Sequence, residues 1–257
     1  MESAEELFCY EVCGMCARDV NLFKWPKVPP VLSAAEEEAR EKYMLLWHEQ
    51  LPRKFAALER FNHGYVAGLP RKQGSKTLEI GAGIGGHLEF EDVASQEYHV
   101  MEYREQFCKE LEKKHPARLV SQGDIHARQG WADGYFDRIV AIHVLEHLVD
   151  LPKALAEISR LLDTQGVFDF VIPCEGGVAH TLGRKVTAER LFRKNFGMDF
   201  TNICKNEHVN TFREIMYLIR KQFEVTNSSY FPLKVPLHDL NLVAGFRVRK
   251  RGAGATL

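Results

Sequence analysis

Two groups of residues in this sequence carry chemistry in their types and spacing. The first is Glu79-Ile80-Gly81-Ala82-Gly83-Ile84-Gly85-Gly86, where an apolar run closes on an acid and opens into glycines ahead of His87 and Leu88. That order reads as a strand, a tight turn and a helix start, with glycines letting a nucleotide lie on bare backbone and the turn take positive φ. Gly81, Gly83 and Gly86 meet the G-x-G-x-x-G spacing of dinucleotide sites, whereas Glu79, Gly81, Gly83 and Gly85 meet the E-x-G-x-G-x-G spacing of another nucleotide cofactor. The turn alone leaves that choice open. The second group is His143-Val144-Leu145-Glu146-His147. On a helix, H-x-x-E-H would put two zinc-binding histidines on one face with a glutamate base, but residues 136–142 read as a strand that His143 ends. A polar doublet at a strand's tip remains, where a histidine tuned near neutrality can deprotonate a hydroxyl or orient an acceptor.

A third spacing is weaker. Cys9, Cys13 and Cys16 form C-x3-C-x2-C, the arrangement that holds an iron–sulfur cluster on three thiolates, and a zinc site with a distant fourth ligand is a further alternative. The same positions, i, i+4 and i+7, share one face of a helix, where free cysteine packs as a small apolar residue, and that plain packing is preferred. The six cysteines are scattered along the chain and read as reduced thiols.

Composition narrows the partners. The chain has 257 residues, enough for one large α/β domain with additions, and 34 lysines and arginines against 35 acidic residues give a formal net charge of -1. Nothing global draws it to nucleic acid or to an anionic membrane, so a small-molecule partner is expected. No apolar run reaches the roughly 18 residues of a membrane span, and Met1 to Glu6 is acidic where a signal peptide would be basic, which points to the cytoplasm.

Alternating elements hold the two groups in place. Pro26, Pro29 and Pro30 break any helix before Val31, and Ser33-Ala34-Ala35-Glu36 is a capping box that starts one. Tyr43, Leu46 and Trp47 space a buried face, Pro52 interrupts, and Phe55, Leu58 and Phe61 continue the period, in helices that either pad a sheet or form a lid. Residues 98–102 read as a second strand closing on Glu102, a carboxylate able to accept both hydroxyls of a ribose. A helix over about 104–114 ends before Pro116, and Arg118-Leu119-Val120 is a third strand. Gly123-Asp124-Ile125 then sets a carboxylate at that strand's carboxyl end, where it can take the exocyclic amine of an adenine or merely cap a turn. Strand 136–142, a helix opened by Pro152 with apolar spacing over 154–162 and ended by Gly166, and strand 167–173 complete the rhythm. Strands and helices in this alternation make a parallel sheet with helices on both faces.

From Leu78 to Pro173 the motifs run in a fixed order: the glycine turn, the acid Glu102, Gly123-Asp124-Ile125, Phe136-Asp137-Arg138-Ile139-Val140, His143 to Leu148, and Gly166 before the fifth strand. In that order they resemble the class I S-adenosylmethionine-dependent methyltransferases, in the broad small-molecule branch of types 11 and 12. The resemblance favours this cofactor, which leaves S-adenosylhomocysteine, over a nicotinamide dinucleotide. It implies a Rossmann-like seven-stranded, mostly parallel sheet with an antiparallel last strand, an N-terminal helical extension over 1–70, a methyltransferase domain over 71–250 and a frayed 251–257. Within the domain, 174–213 would be an insertion after strand five, without regular sheet-and-helix pattern, that caps the acceptor. By the same resemblance Glu79, Gly81, Ala82, Gly83 and Gly85 hold the methionine end, Glu102 with Tyr103 the ribose, and Asp124 with Ile125 the adenine, while His143 lies beside the sulfonium.

The acceptor side is less determined. Ubiquinone-biosynthesis O-methyltransferases and small-RNA 3′-end methyltransferases resemble the 143–147 segment and can hold a divalent metal on E-x-x-E-H. Here His143 stands in place of their first glutamate, and no metal is assigned. The expected reaction moves a methyl group to an oxygen or nitrogen of a small molecule such as a sugar, a lipid-linked precursor or a secondary metabolite. His147 is the expected base and His208, in the insertion, the second candidate. Arg184, Lys185, Arg190, Arg193 and Lys194 would suit an acidic or phosphorylated acceptor, or simply face solvent. A cofactor-binding protein without transfer activity and a nicotinamide-dependent oxidoreductase are the alternatives.

Overall fold

The computed structural model describes residues 23–115 and 119–252, the side chains at 45, 47–53 and 119 excepted. Cys9, Cys13, Cys16 and most of the frayed end lie outside these residues. The described cysteines Cys108, Cys174 and Cys204 are free and buried.

The Ser33 box forms as spaced: Ser33 N–H donates to Glu36 Oε2 at 2.8 Å and Glu36 N–H to Ser33 Oγ at 3.3 Å. Helix α1 (Ala34–Lys54) starts there and runs through Pro52, which sits too near its end to stop it, and α2 (Ala56–Ala67) follows. The core elements are then β1 (Lys76–Ile80), β2 (Glu97–Glu102), α3 (Glu105–Lys114), β3 (Leu119–Gln122), β4 (Phe136–Ile142), α4 (Leu151–Leu161) and β5 (Leu162–Pro173). Helix α4 ends at Leu161 and not at Gly166, which lies inside β5 where the register against β4 shifts. A Cβ at Gly166 would stand 2.8 Å from Leu162 Cδ1, so the close approach in that bulge requires glycine.

The insertion differs from its expected irregular form. It holds three helices, α5 (Val178–Val186), α6 (Ala188–Phe196) and α7 (Thr201–Glu207), before α8 (Phe212–Gln222), β6 (Phe223–Phe231) and β7 (Val243–Lys250). Its apolar positions are spent on a small core of its own: Phe192, Phe200 and Ile203 close around Ala39 and Tyr43 of α1. Because that period faces the helix of the N-terminal extension and not the sheet, the basic residues between the apolar positions mask it. Extension and insertion thus form one unit.

The seven strands lie in the order β3-β2-β1-β4-β5-β7-β6, with β7 antiparallel to both neighbours and the other pairings parallel. Strand alternation divides the interior in two. One face, under α4 and α8, is apolar: Leu78, Ile139, Phe168, Phe170 and Phe246 pack on Leu155, Ile158, Ile215 and Ile219. The other, under α2 and α3, is threaded by charge. Buried Arg138 donates to Asp169, Glu91 and the Val66 carbonyl at 2.7, 2.9 and 2.8 Å. Arg247 forks onto both Asp169 oxygens at 2.6 and 2.8 Å and reaches Pro70 O. These bonds fasten the end of α2 to the sheet, and Tyr65 lies on Gly245 so closely that a Cβ there would be 2.2 Å from its ring.

The glycine turn leads into a 3-10 turn, Gly86–Glu89, and not into the expected helix. Helix α2 already covers the neighbouring sheet, and His63 stacks on His87 and Phe90, which leaves that segment no room to wind further. No described helix is long and apolar enough to cross a membrane.

Candidate active site

The adjacent tips of β3, β2, β1 and β4 bring most of the named positions together. Gly81, Gly83 and Gly85 take φ of 65°, 57° and 87°, and a Cβ on Gly81 would stand 2.6 Å from Val144 Cγ2. Glycine is therefore obligatory at Gly81 on two counts, backbone and space. Glu102, 5% exposed, accepts from Gly83 N–H on Oε2 at 2.9 Å and from Arg104 N–H on Oε1 at 2.8 Å. The carboxylate braces the turn, and each oxygen keeps a second lone pair for a hydroxyl donor. Glu79 is buried one layer lower and accepts from Tyr98 O–H at 2.9 Å. Burial and the Glu79 charge push the Tyr98 phenol up, so it stays a donor.

Asp124 Oδ1 accepts from His126 N–H at 2.9 Å and pairs with its Nδ1 at 2.7 Å, yet the side chain is 46% exposed. It caps a turn and faces solvent at a strand's tip at once. Ala82 and Ile125 are buried and Tyr103 is exposed. Bare glycine backbone, a braced carboxylate and a half-exposed second acid one strand away fit an adenosine with a charged amino-acid tail. The fit comes from backbone and carboxylates, without a full helix N-terminus.

Across β4 the material changes from backbone to side chains. His143 takes φ of 54°, a left-handed conformation that costs a non-glycine residue about 1 kcal/mol or more, with its N–H held by Val171 O at 2.9 Å. The chain then makes the 3-10 turn Leu145–His147, which excludes the helical zinc arrangement. Glu146 has a side chain 1% exposed, lies 3.1 Å from His143 Nδ1 through Oε1, and leaves Oε2 buried with no partner. Burial works against its charge, but the His143 hydrogen bond and the nearby His147 and His208 outweigh this and hold it at about 2.

His147 Nδ1 lies 2.7 Å from the Glu207 carbonyl. A carbonyl only accepts, so Nδ1 carries the proton and Nε2 is the free nitrogen. Burial lowers the basicity of His147, yet the hydrogen bond to Glu207 and the charges of Glu146 and Glu207 prevail, leaving it above an ordinary imidazole. Its side chain keeps 31% exposure, so the ring is reachable. Glu207 is steadied by Arg40 at 3.2 Å and Arg104 at 3.4 Å and, despite burial, held at about 2 by His147 and the arginines. His208 meets the His147 ring edge-on with centroids 5.0 Å apart, and its Nδ1 lies 2.9 Å from Glu175 Oε2. Arg184 reaches Glu175 Oε1 at 2.9 Å, and His180 Nδ1 lies 3.6 Å from Oε2, pushed by burial down to about 4. One ligand atom each from Glu146, His147 and His208 lie within 4.8 Å of one another.

The end of the insertion is stitched to this turn. Glu146 O accepts from Val209 and Asn210 N–H at 2.9 and 3.1 Å. Fully buried Asn210 donates through Nδ2 to Leu145 O and Leu148 O and accepts from Trp25 Nε1 at 2.9 Å.

The structure thus joins His143, Glu146 and His147 of one turn to His208, far along the chain, and adds Glu175, His180 and Glu207 around them. Two signals for these additions are present in the chain. Glu175 falls just beyond the end of β5, where open α/β sheets bind ligands. Glu207-His208 repeats the Glu146-His147 dipeptide, and each histidine borrows a partner from another segment. Helix α2 sets Glu59 and His63, 3.3 Å apart, beside the glycine turn, a placement with no signature in sequence.

Residues 78–170 match the family model described as a methyltransferase domain. No curated protein matches the chain. Among solved structures, the CurJ carbon methyltransferase is similar at a TM-score of 0.58 and 18% identity, over 81% of this chain, which spans only 58% of that one. An S-adenosylmethionine-dependent methyltransferase from Thermotoga maritima, a possible histamine N-methyltransferase, is similar at 0.57 and 17%, covering 83% and 99% of the two chains. A TehB-like S-adenosylmethionine-dependent methyltransferase from Corynebacterium glutamicum gives 0.52 and 15%, with coverage of 84% and 100%. At such identities the likeness is one of fold.

Proposed function

We propose that this chain, whose residues 78–170 form a methyltransferase domain of the class I S-adenosylmethionine-dependent superfamily, methylates an oxygen or nitrogen of a small molecule held under its helical insertion. The cofactor supplies, when bound, a methyl group already activated on a sulfonium. The protein then needs to orient an acceptor and, for a hydroxyl, to remove a proton. Gly81, Gly83, Gly85, Glu102 and Asp124 are the residues that would hold the cofactor, and Glu79 supports them from below through Tyr98.

One observation carries the acceptor assignment: the Glu207 carbonyl fixes the proton of His147 on Nδ1 and leaves Nε2 free. Nε2 takes the acceptor's proton, and ionised Glu146, 3.9 Å away, stabilises the imidazolium that forms. His208, held by Glu175 and packed edge-on against His147, borders the acceptor on the same side. The test is transfer of radiolabelled methyl from S-adenosylmethionine into a panel of hydroxyl and amine acceptors, alongside equilibrium binding of S-adenosylmethionine and NAD. Preferential NAD binding refutes the assignment, and cofactor binding without transfer to any acceptor leaves a binding protein.

The partnerless Oε2 of buried Glu146 favours a second role for the same residues. Glu146, His147 and His208 would hold a divalent cation on which an acceptor hydroxyl is oriented. Under that role dialysis against a chelator abolishes turnover and the metal restores it; under the base role turnover is unchanged.

A further inference from the structure

Helix α5 has two faces with different employment. His180 and Arg184 turn inward to Glu175, whereas Val178, Leu182 and Val186, one helical turn apart, stand 61%, 59% and 68% exposed. Glycines let the helix lie directly on the chain that leads into β7. A Cβ at Gly177 would be 2.8 Å from His238 O, and one at Gly183 would be 3.2 Å from Leu242 Cδ2. The adjoining loop after β6 carries Leu233, Val235, Leu237 and Leu240, all exposed. Among the described residues eleven large hydrophobic side chains are exposed, and seven of them lie in these two neighbouring segments. Scattered exposure is ordinary; concentration of this kind marks a contact surface.

The charge around the patch states what it contacts. Lys185, Arg190, Arg193 and Lys194 line one surface depression with Val186, opposed there by Glu189, which pairs with Arg193 at 2.8 Å. Lys234 stands exposed at the tip of the apolar loop. The overall charge of -1 conceals this local excess. A second copy on the same face would set cations against cations. Nucleic acid would reward the cations but leave the aliphatic side chains in water. An anionic bilayer rewards both, through headgroup attraction and shallow insertion of the aliphatic residues.

We infer that the outer face of α5 and the loop 232–242 dock on an anionic membrane surface. The docking rests on exposure and charge and not on the transfer chemistry, so vesicle binding and methyl transfer succeed or fail separately. Because the inner face of the same helix lines the candidate active site, docking holds the acceptor side of the cleft next to the membrane.

Flotation of the full chain with vesicles of phosphatidylcholine, with or without about one third phosphatidylglycerol, tests the inference. We expect binding at least about tenfold stronger to the anionic vesicles, weakened by salt. Leu182→Glu combined with Leu237→Glu should abolish it, and Lys185→Glu combined with Arg190→Glu should reduce it to the phosphatidylcholine level. Thermal melts check that both variants fold, and the charge variant alone decides should the apolar one not. Equal binding to both vesicle types, or no binding, overturns the inference. So does a concentration-dependent dimer broken by Leu182→Glu, or tight binding to a nucleic-acid duplex.

Discussion

Above β1 and β2 the cleft is shaped by three glycines at positive φ and by amides that grip Glu102, with the Gly83 contact closing over 19 positions of chain. Above β4 and β5 it is shaped by imidazoles and carboxylates gathered from afar, His147 meeting Glu207 across 60 positions and His208 meeting Glu175 across 33. The first lip is local and made largely of main chain, and a Cβ added at Gly81 or Gly85 would stand 2.6 or 2.9 Å from its neighbour. The second is assembled by tertiary structure and made of side chains, so its chemistry can be retuned one residue at a time. A shared cofactor and a private acceptor would call for this division.

The sharpest way to separate the lips is to disarm the second while sparing the first. His147→Ala should lower turnover by about 10²–10⁴-fold, the range for loss of a general base, with S-adenosylmethionine affinity changed by less than about threefold. Equal losses in both, measured by initial rates and calorimetry, would remove His147 from the acceptor lip. The converse is Gly81→Ala, which forces a Cβ to 2.6 Å from Val144 at a φ of 65°. Strain and overpacking of about 3 kcal/mol should weaken cofactor binding roughly a hundredfold. Tight binding by that variant would show that the backbone lip yields more than its geometry suggests.

Acid also distinguishes the two lips. Glu146 and Glu207 are held at about 2, below the unfolded carboxylate. Their stabilisation is full above the ordinary value of about 4.3 and is lost as pH falls toward 2. Denaturant melts should show on the order of 3 kcal/mol disappearing over that window for Glu146, and Glu146→Gln should flatten its share. His147, held above ordinary imidazole, acts as a base only when deprotonated, so turnover should climb with pH on the alkaline side of about 6.5. The smallest effect belongs to Tyr103→Ala, an exposed aromatic beside the brace, which should cost about two- to tenfold in cofactor affinity.

Legibility in sequence follows the same division. The strands, Glu102 and Asp124 at their tips, and the glycine turn are local patterns of period and spacing, and they stand where the chain predicts them. The helix expected after the turn is missing because α2, from a distant segment, occupies the neighbouring sheet face. In the insertion, Phe192 and Phe196 have helical spacing, but they serve a core shared with Tyr43, and charged residues occupy most of the remaining positions of that helix. Glu175, Glu207 and Glu59 gain meaning only from neighbours that folding supplies. The charged interior face is equally silent, since Arg138 and Asp169 alternate within apolar strands and reveal no partner until the sheet forms.

Asn210 sets terms for anyone grafting segments between relatives of this protein. Its amide ties the turn at Leu145 and Leu148 to Trp25, so three distant stretches share one buried knot. A chimera with its crossover inside that knot would strand carbonyls away from water at about 1–3 kcal/mol each. Residues 23–44, 143–148 and 175–211 would therefore have to be exchanged together for the knot to survive.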